Sequence, residues 1–111
     1  MIEIIRGDTK RLCFQRKDAE GNPILEKASK IYFTVKKTNY AKEPLFQKTI
    51  DDMEFDEEGV YHFTIESDDT SEISYGNYVF DIEVKELNYT QTIIQGAFII
   101  AKEVTFKENE V

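Results

Sequence analysis

Gly76-Asn77-Tyr78-Val79-Phe80-Asp81-Ile82-Glu83-Val84-Lys85 sets an apolar side chain at every second position from Tyr78 onward, with Asp81, Glu83 and Lys85 in the gaps. Successive side chains of an extended chain point to opposite faces, so a repeat of two marks a strand with one dry and one wet side. The same alternation runs through Ile31-Tyr32-Phe33-Thr34-Val35-Lys36 and Val60-Tyr61-His62-Phe63-Thr64-Ile65. Sheet, rather than helix, accounts for most of the chain.

Working outward, further strands are expected at residues 2–5, 10–16, 30–37 and 45–50, with a short one around Met53 and Phe55. Leu12 and Phe14 point inward and Cys13 to the wetter side. Residues 18–23 hold the Gly, Asn and Pro of a reversal, and Pro23 forbids a continuous central strand. Ile24 and Leu25 are read as anchors of the following connection. Asp51 to Gly59 is acidic apart from Met53 and Phe55 and closes in a turn at Glu58-Gly59. Residues 67–74 have room for one capped helical turn. The run from Thr90 to Ile100 puts apolar groups on both faces, and Gly96 is expected to mark a bulge or close backbone approach where the inward face switches. A last short strand is expected at residues 103–106.

Seven or eight short strands with turn residues between them indicate an all-β fold, a two-sheet, mostly antiparallel sandwich or a small barrel. At 111 residues the chain is the size of one domain, expected to span residues 1–106, with 107–111 as a frayed tail. One cysteine cannot make an internal disulfide, so the core must stand without cross-links. No apolar run is long enough to span a bilayer, and the N-terminus lacks the basic start and apolar core of an export signal. Retention in the cytoplasm after synthesis is therefore expected. A net charge of −8 without a basic patch argues against nucleic acid or an anionic membrane as partner.

Chemistry is sparse. His62 is the only histidine and points to the wetter face, which leaves no zinc constellation and no local Ser-His-Asp arrangement. The Asp51 to Glu58 cluster departs from a calcium loop because Met53 and Phe55 stand where ligands should recur, and Gly59 comes too late. The five glycines are isolated, so no phosphate loop forms. Asn88-Tyr89-Thr90 fits the glycosylation acceptor pattern, a three-residue match that carries little weight without an export signal. No catalytic residue, metal site or cofactor is expected. The candidate contact residues are Tyr40, Tyr75 and Tyr89, which fall in loops where amphipathic rings suit a protein partner. Ile93, Ile99 and Phe106 join them, because the final strands carry more apolar surface than one buried face requires.

Gly7-Asp8-Thr9, residues 18–23 and 31–36, Asp69-Thr70, residues 75–84, Gln91-Thr92-Ile93-Ile94-Gln95-Gly96 and Glu103-Val104-Thr105 together resemble small structural proteins of tailed phages and prophages of Gram-positive bacteria. The nearest group is the N-terminal domain of phage baseplate upper proteins. That resemblance implies an immunoglobulin-like antiparallel β-sandwich, made in the host cytoplasm and carried in the virion. It would assemble as a homo-oligomer or with other phage structural proteins. The alternatives are a carbohydrate or small-ligand binding module using loop tyrosines and acidic side chains, and a hydrolase using the acidic cluster.

Overall fold

Eight strands carry residues 1–103, the part of the chain that the computed structural model describes. They are β1 (Ile2–Ile5), β2 (Lys10–Gln15), β3 (Lys30–Lys36), β4 (Phe46–Thr49), β5 (Glu54–Phe55), β6 (Val60–Ile65), β7 (Gly76–Glu86) and β8 (Tyr89–Ala101). A 3-10 turn, Ile50–Asp52, follows β4, and a single-turn helix, α1 (Ser67–Thr70), follows β6. One sheet has the order β1-β8-β7-β3-β4 and the other β2-β6-β5; they curl against each other in an all-β, sandwich-like half-barrel that does not close.

The alternating stripes make the core. In the β3–β7 ladder Ile31 stands opposite Val84, Phe33 opposite Ile82 and Val35 opposite Phe80, and all six side chains are buried. From the other sheet come Phe14, Tyr61, Phe63 and Ile65. Phe33 bridges the layers, its ring centroid 4.9 Å from Phe63 and 5.7 Å from Phe80. Burial of each such side chain contributes about 1.5–3 kcal/mol, which is what holds the two layers together. Tyr61 stacks on Phe14 at 4.9 Å and its hydroxyl accepts the backbone N–H of Ala28 at 3.0 Å, so its polar end is satisfied where it is buried.

The connections are held by polar side chains. Asp18 accepts N–H groups from Glu20 and Asn22 and shapes the reversal, which Lys17 and Pro23 close as a bridge. Thr70 is fully buried and accepts the N–H of Gly7 at 2.9 Å, joining the turn after β1 to α1. Lys48 and Asp69, both mostly buried, pair at 2.7 Å and tie β4 to the same helix.

Pairing is mostly antiparallel, as expected, with one exception: β1 runs parallel to β8, because the chain crosses to the other sheet after β1 instead of turning back along it. Two expectations need correction. Leu25 is not an anchor but 61% exposed, and Ala28 takes the buried place in that connection. The inward face of β8 does not switch at Gly96. The register shifts at Ile93, since Ile82 pairs with Ile94 and Glu83 with Thr92. Gly96 answers a different demand: a Cβ there would sit 3.3 Å from the Phe80 ring. Val104 to Phe106 of the expected terminal strand lie outside the described residues, and Glu103 is not in a strand.

Candidate functional site

The half-barrel stays open along β8. This strand is thirteen residues long, and β1 pairs only with residues 98–101. Residues 89–97 have β7 on one side and, among the described residues, no strand on the other. Across the gap stands the end of β2 with Gln15, Arg16 and Lys17, and between them lies a groove of about 330 Å³. Val84, Ile24, Ile93 and Ile94 give it apolar walls, and Tyr89 stands at its hairpin end.

Local features place each wall. Ile93 is the extra residue of the bulge and packs partly on the core, while Ile94 is 38% exposed. A bulge twists and re-aims a strand, here at the point where the edge lies free. On the facing side Ile24 donates its N–H to the carbonyl of Arg16 at 3.0 Å, so the connection hugs the end of β2. Gly59 holds that connection from below. Its φ is +83°, and a Cβ would meet the Ile24 carbonyl oxygen at 2.7 Å, so the turn accepts no side chain there.

The charge distribution of this region is unusual for the chain. Residues 87–101 contain no charged side chain, although 32% of the chain is charged. The charged residues lining the groove, Arg16 and Lys17, are both cationic in a chain of net charge −8. Arg16 donates to the Glu26 carbonyl at 2.9 Å through one terminal nitrogen. Its Nε is buried and has no acceptor among the described residues. An unmet buried donor costs about 1–3 kcal/mol, so this position favours an acceptor that the described residues do not supply.

The structure gathers only part of the expected contact set. Tyr89 and Ile93 line the seam. Tyr40 is 94% exposed in the β3–β4 connection, away from them. Tyr75 lies just before β7, whereas Tyr89 lies past its other end, a separation of roughly 35 Å along the strand. Tyr75 is engaged structurally, since Arg6 stacks over its ring at 4.2 Å and donates to its hydroxyl at 2.9 Å, and that hydroxyl donates to Glu103 at 3.1 Å. Arg6 also grips both carboxylate oxygens of Glu103, at 2.9 and 3.3 Å. These hydrogen bonds hold the Glu103 carboxyl below the usual range, while partial burial and Glu103 push the Tyr75 hydroxyl up. Ile99 pairs with Asn77 and Glu3 on the outward face of the five-stranded sheet, not at the groove. Phe106 lies outside the described residues. Arg16, Ile24, Val84 and Ile94 were not among the candidates. The charge-free run of residues 87–101 was a signal available for Ile94, but nothing local connects Arg16 or Ile24 to it.

The acidic segment is occupied by structural bonds. Asp52 accepts the N–H of Thr49 at 2.8 Å, and Glu54 pairs with Arg11 at 2.8 Å. Asp56 accepts from the N–H groups of Glu58 and Val60 and contacts His62 at 3.0 Å, which together hold its carboxyl below the usual range, His62 most strongly. Among the described residues no group of three or more His, Cys, Asp or Glu side chains is arranged to hold a metal ion. Tyr40 and Tyr75 do not converge with Tyr89, which is the first residue of β8 and not a loop residue, as a sugar-binding surface built from the three would require. No protein-family model matches this chain, and no curated protein or solved structure matches it significantly.

Proposed function

We propose that this chain is a non-enzymatic assembly module of a tailed phage or prophage, in the baseplate or tail, working through protein–protein contact at the open seam. The observation that carries this reading is the nine-residue stretch of β8, residues 89–97, whose outer edge no strand covers among the described residues, uncharged and beside an apolar groove. Proteins blunt exposed edges with charge, proline or short length, because unpaired N–H and C=O groups template further pairing. This edge has neither charge nor proline and is relieved only by its bulge, which suits a surface that is covered in use.

The finer fold in this proposal is the immunoglobulin-like sandwich. Support comes from the strand order: β2-β6-β5 corresponds to strands B, E and D, and β8-β7-β3-β4 to G, F, C and C′. Tyr78, near the start of β7, donates its hydroxyl to the carbonyl of Ser74 at 2.6 Å. Such a bond back to the chain just upstream is the tyrosine corner of these sandwiches. Phe33 fills the centre of β3, the strand that buries a tryptophan in antibody domains.

Light scattering coupled to size exclusion, over a wide range of concentration and ionic strength, tests the assembly reading. The same run is made with tail and baseplate proteins of a phage of Gram-positive bacteria. The expected result is a defined multi-copy species or a mixed complex that Ile93→Asp dissolves. A chain that stays single in both settings, or a complex indifferent to Ile93→Asp, overturns it.

A further inference from the structure

We infer that the seam is filled in trans by the segment 104–111 of a second copy, laid as an added strand along the free edge of β8. The inference rests on the assembly reading above and names the partner of that same site. Backbone pairing to an exposed edge supplies affinity, and pockets for alternate side chains supply specificity. Segment 104–111, Val-Thr-Phe-Lys-Glu-Asn-Glu-Val, carries that alternation: extended, it puts Val104, Phe106, Glu108 and Glu110 on one side. Phe106 matches the apolar wall of Ile24, Val84 and Ile93. Glu108, about 7 Å further on, brings a carboxylate to the cationic wall of Arg16 and Lys17, where the Arg16 Nε has no acceptor among the described residues.

Geometry makes the contact intermolecular. Phe106 is five residues past Ala101 and reaches at most ~18 Å, whereas Ile93 lies eight residues, about 26 Å, back along β8. The segment also starts beside Glu103, which Arg6 and Tyr75 hold at the end of the sheet remote from the groove. In this register Phe106 cannot reach the Ile93 of its own chain but can reach a neighbour's. The contact joins two different patches, so copies follow one another head to tail, closing a ring or extending a filament.

The test compares the full chain with a chain ending at Glu103, by light scattering coupled to size exclusion, with melting temperatures confirming that each variant is folded. A labelled peptide of residues 102–111 is then titrated into the shortened chain and followed by fluorescence anisotropy. The expected results are a multi-copy full chain, a single-copy shortened chain, and peptide binding that Ile93→Asp in the host abolishes. Phe106→Ala in the peptide weakens binding about tenfold or more, as removal of a buried aromatic anchor does. Glu108→Gln weakens it about two- to fivefold, less at high salt. A shortened chain that assembles like the full chain, or a peptide that does not bind it, overturns the inference. If that assembly is still dissolved by Ile93→Asp, the seam remains the contact site and only its occupant was wrong; if it is indifferent to Ile93→Asp, both readings fall.

Discussion

The two halves of β8 have similar chemistry and opposite fates. Residues 98–101 and residues 89–97 are equally free of charge, and both contain isoleucines. In the first half Phe98 and Ile100 are buried, because β1 covers that edge and the facing sheet covers that face. In the second half only Ile93 packs partly on the core, and Tyr89 and Ile94 remain exposed. The difference lies in what stands beside the strand. A strand with one neighbour has the same intrinsic pattern as a strand with two, but half its backbone groups and much of its apolar surface stay available.

Substitutions that break the closed half should cost most. Phe98→Ala is expected to lose about 3–5 kcal/mol in urea denaturation, because a fully buried ring leaves a cavity, whereas Ile93→Ala in the open half should lose clearly less. Equal losses at the two sites would erase the distinction between the halves. Next comes the tie behind β1: Thr70→Val removes the acceptor of the Gly7 N–H and should lower stability by about 1–3 kcal/mol, seen as a lower melting temperature. A melting temperature unchanged by that variant would mean that the tie does not support β1.

A smaller effect is expected from pH at the clasp of Arg6, Tyr75 and Glu103. The folded-state pKa of Glu103 is depressed, so its contribution is present above the ordinary glutamate value of about 4.3 and is lost as pH falls below it, through the folded value. Glu103→Gln should therefore reduce stability near neutrality and flatten this part of the acid limb; an acid limb identical to that of the parent chain would show that the clasp contributes nothing. The smallest change is expected for Thr92→Lys on the outward face of the open half, within about 0.5 kcal/mol of the parent. A large loss there would show that residues 89–97 are more tightly integrated than their exposure implies.

How far the sequence could be read follows the range of the interaction involved. The stripes of Ile31, Phe33 and Val35 and of Phe80, Ile82 and Val84 were legible because period two is a local property. So were the reversal around Asp18 and the turn at Glu58-Gly59. Parallel pairing of β1 was not, since a strand's own residues do not encode the direction of its neighbour. Gly96 was misread for a related reason: its missing side chain makes room for Phe80, sixteen positions earlier, while the bulge falls at Ile93, which carries no local mark. At the seam, Tyr89 stood out as an amphipathic ring in an expected loop and Ile93 as apolar excess in a final strand. Arg16 and Ile24 did not, because they meet β8 only after about seventy residues of intervening chain have folded.

The parallel pairing of β1 with β8 has a mechanical consequence. Met1 leads into one end of this four-residue ladder and Ala101 leads out of the other. Tension applied between Met1 and Glu103 therefore slides the two strands lengthwise past each other, loading the hydrogen bonds of the ladder together, whereas an antiparallel terminal pair would unzip one bond at a time. Arg6 and Gly7, directly after the ladder, are bound in turn to Glu103 and Thr70, so the joint that meets the force first is braced at the end it would have to slip through.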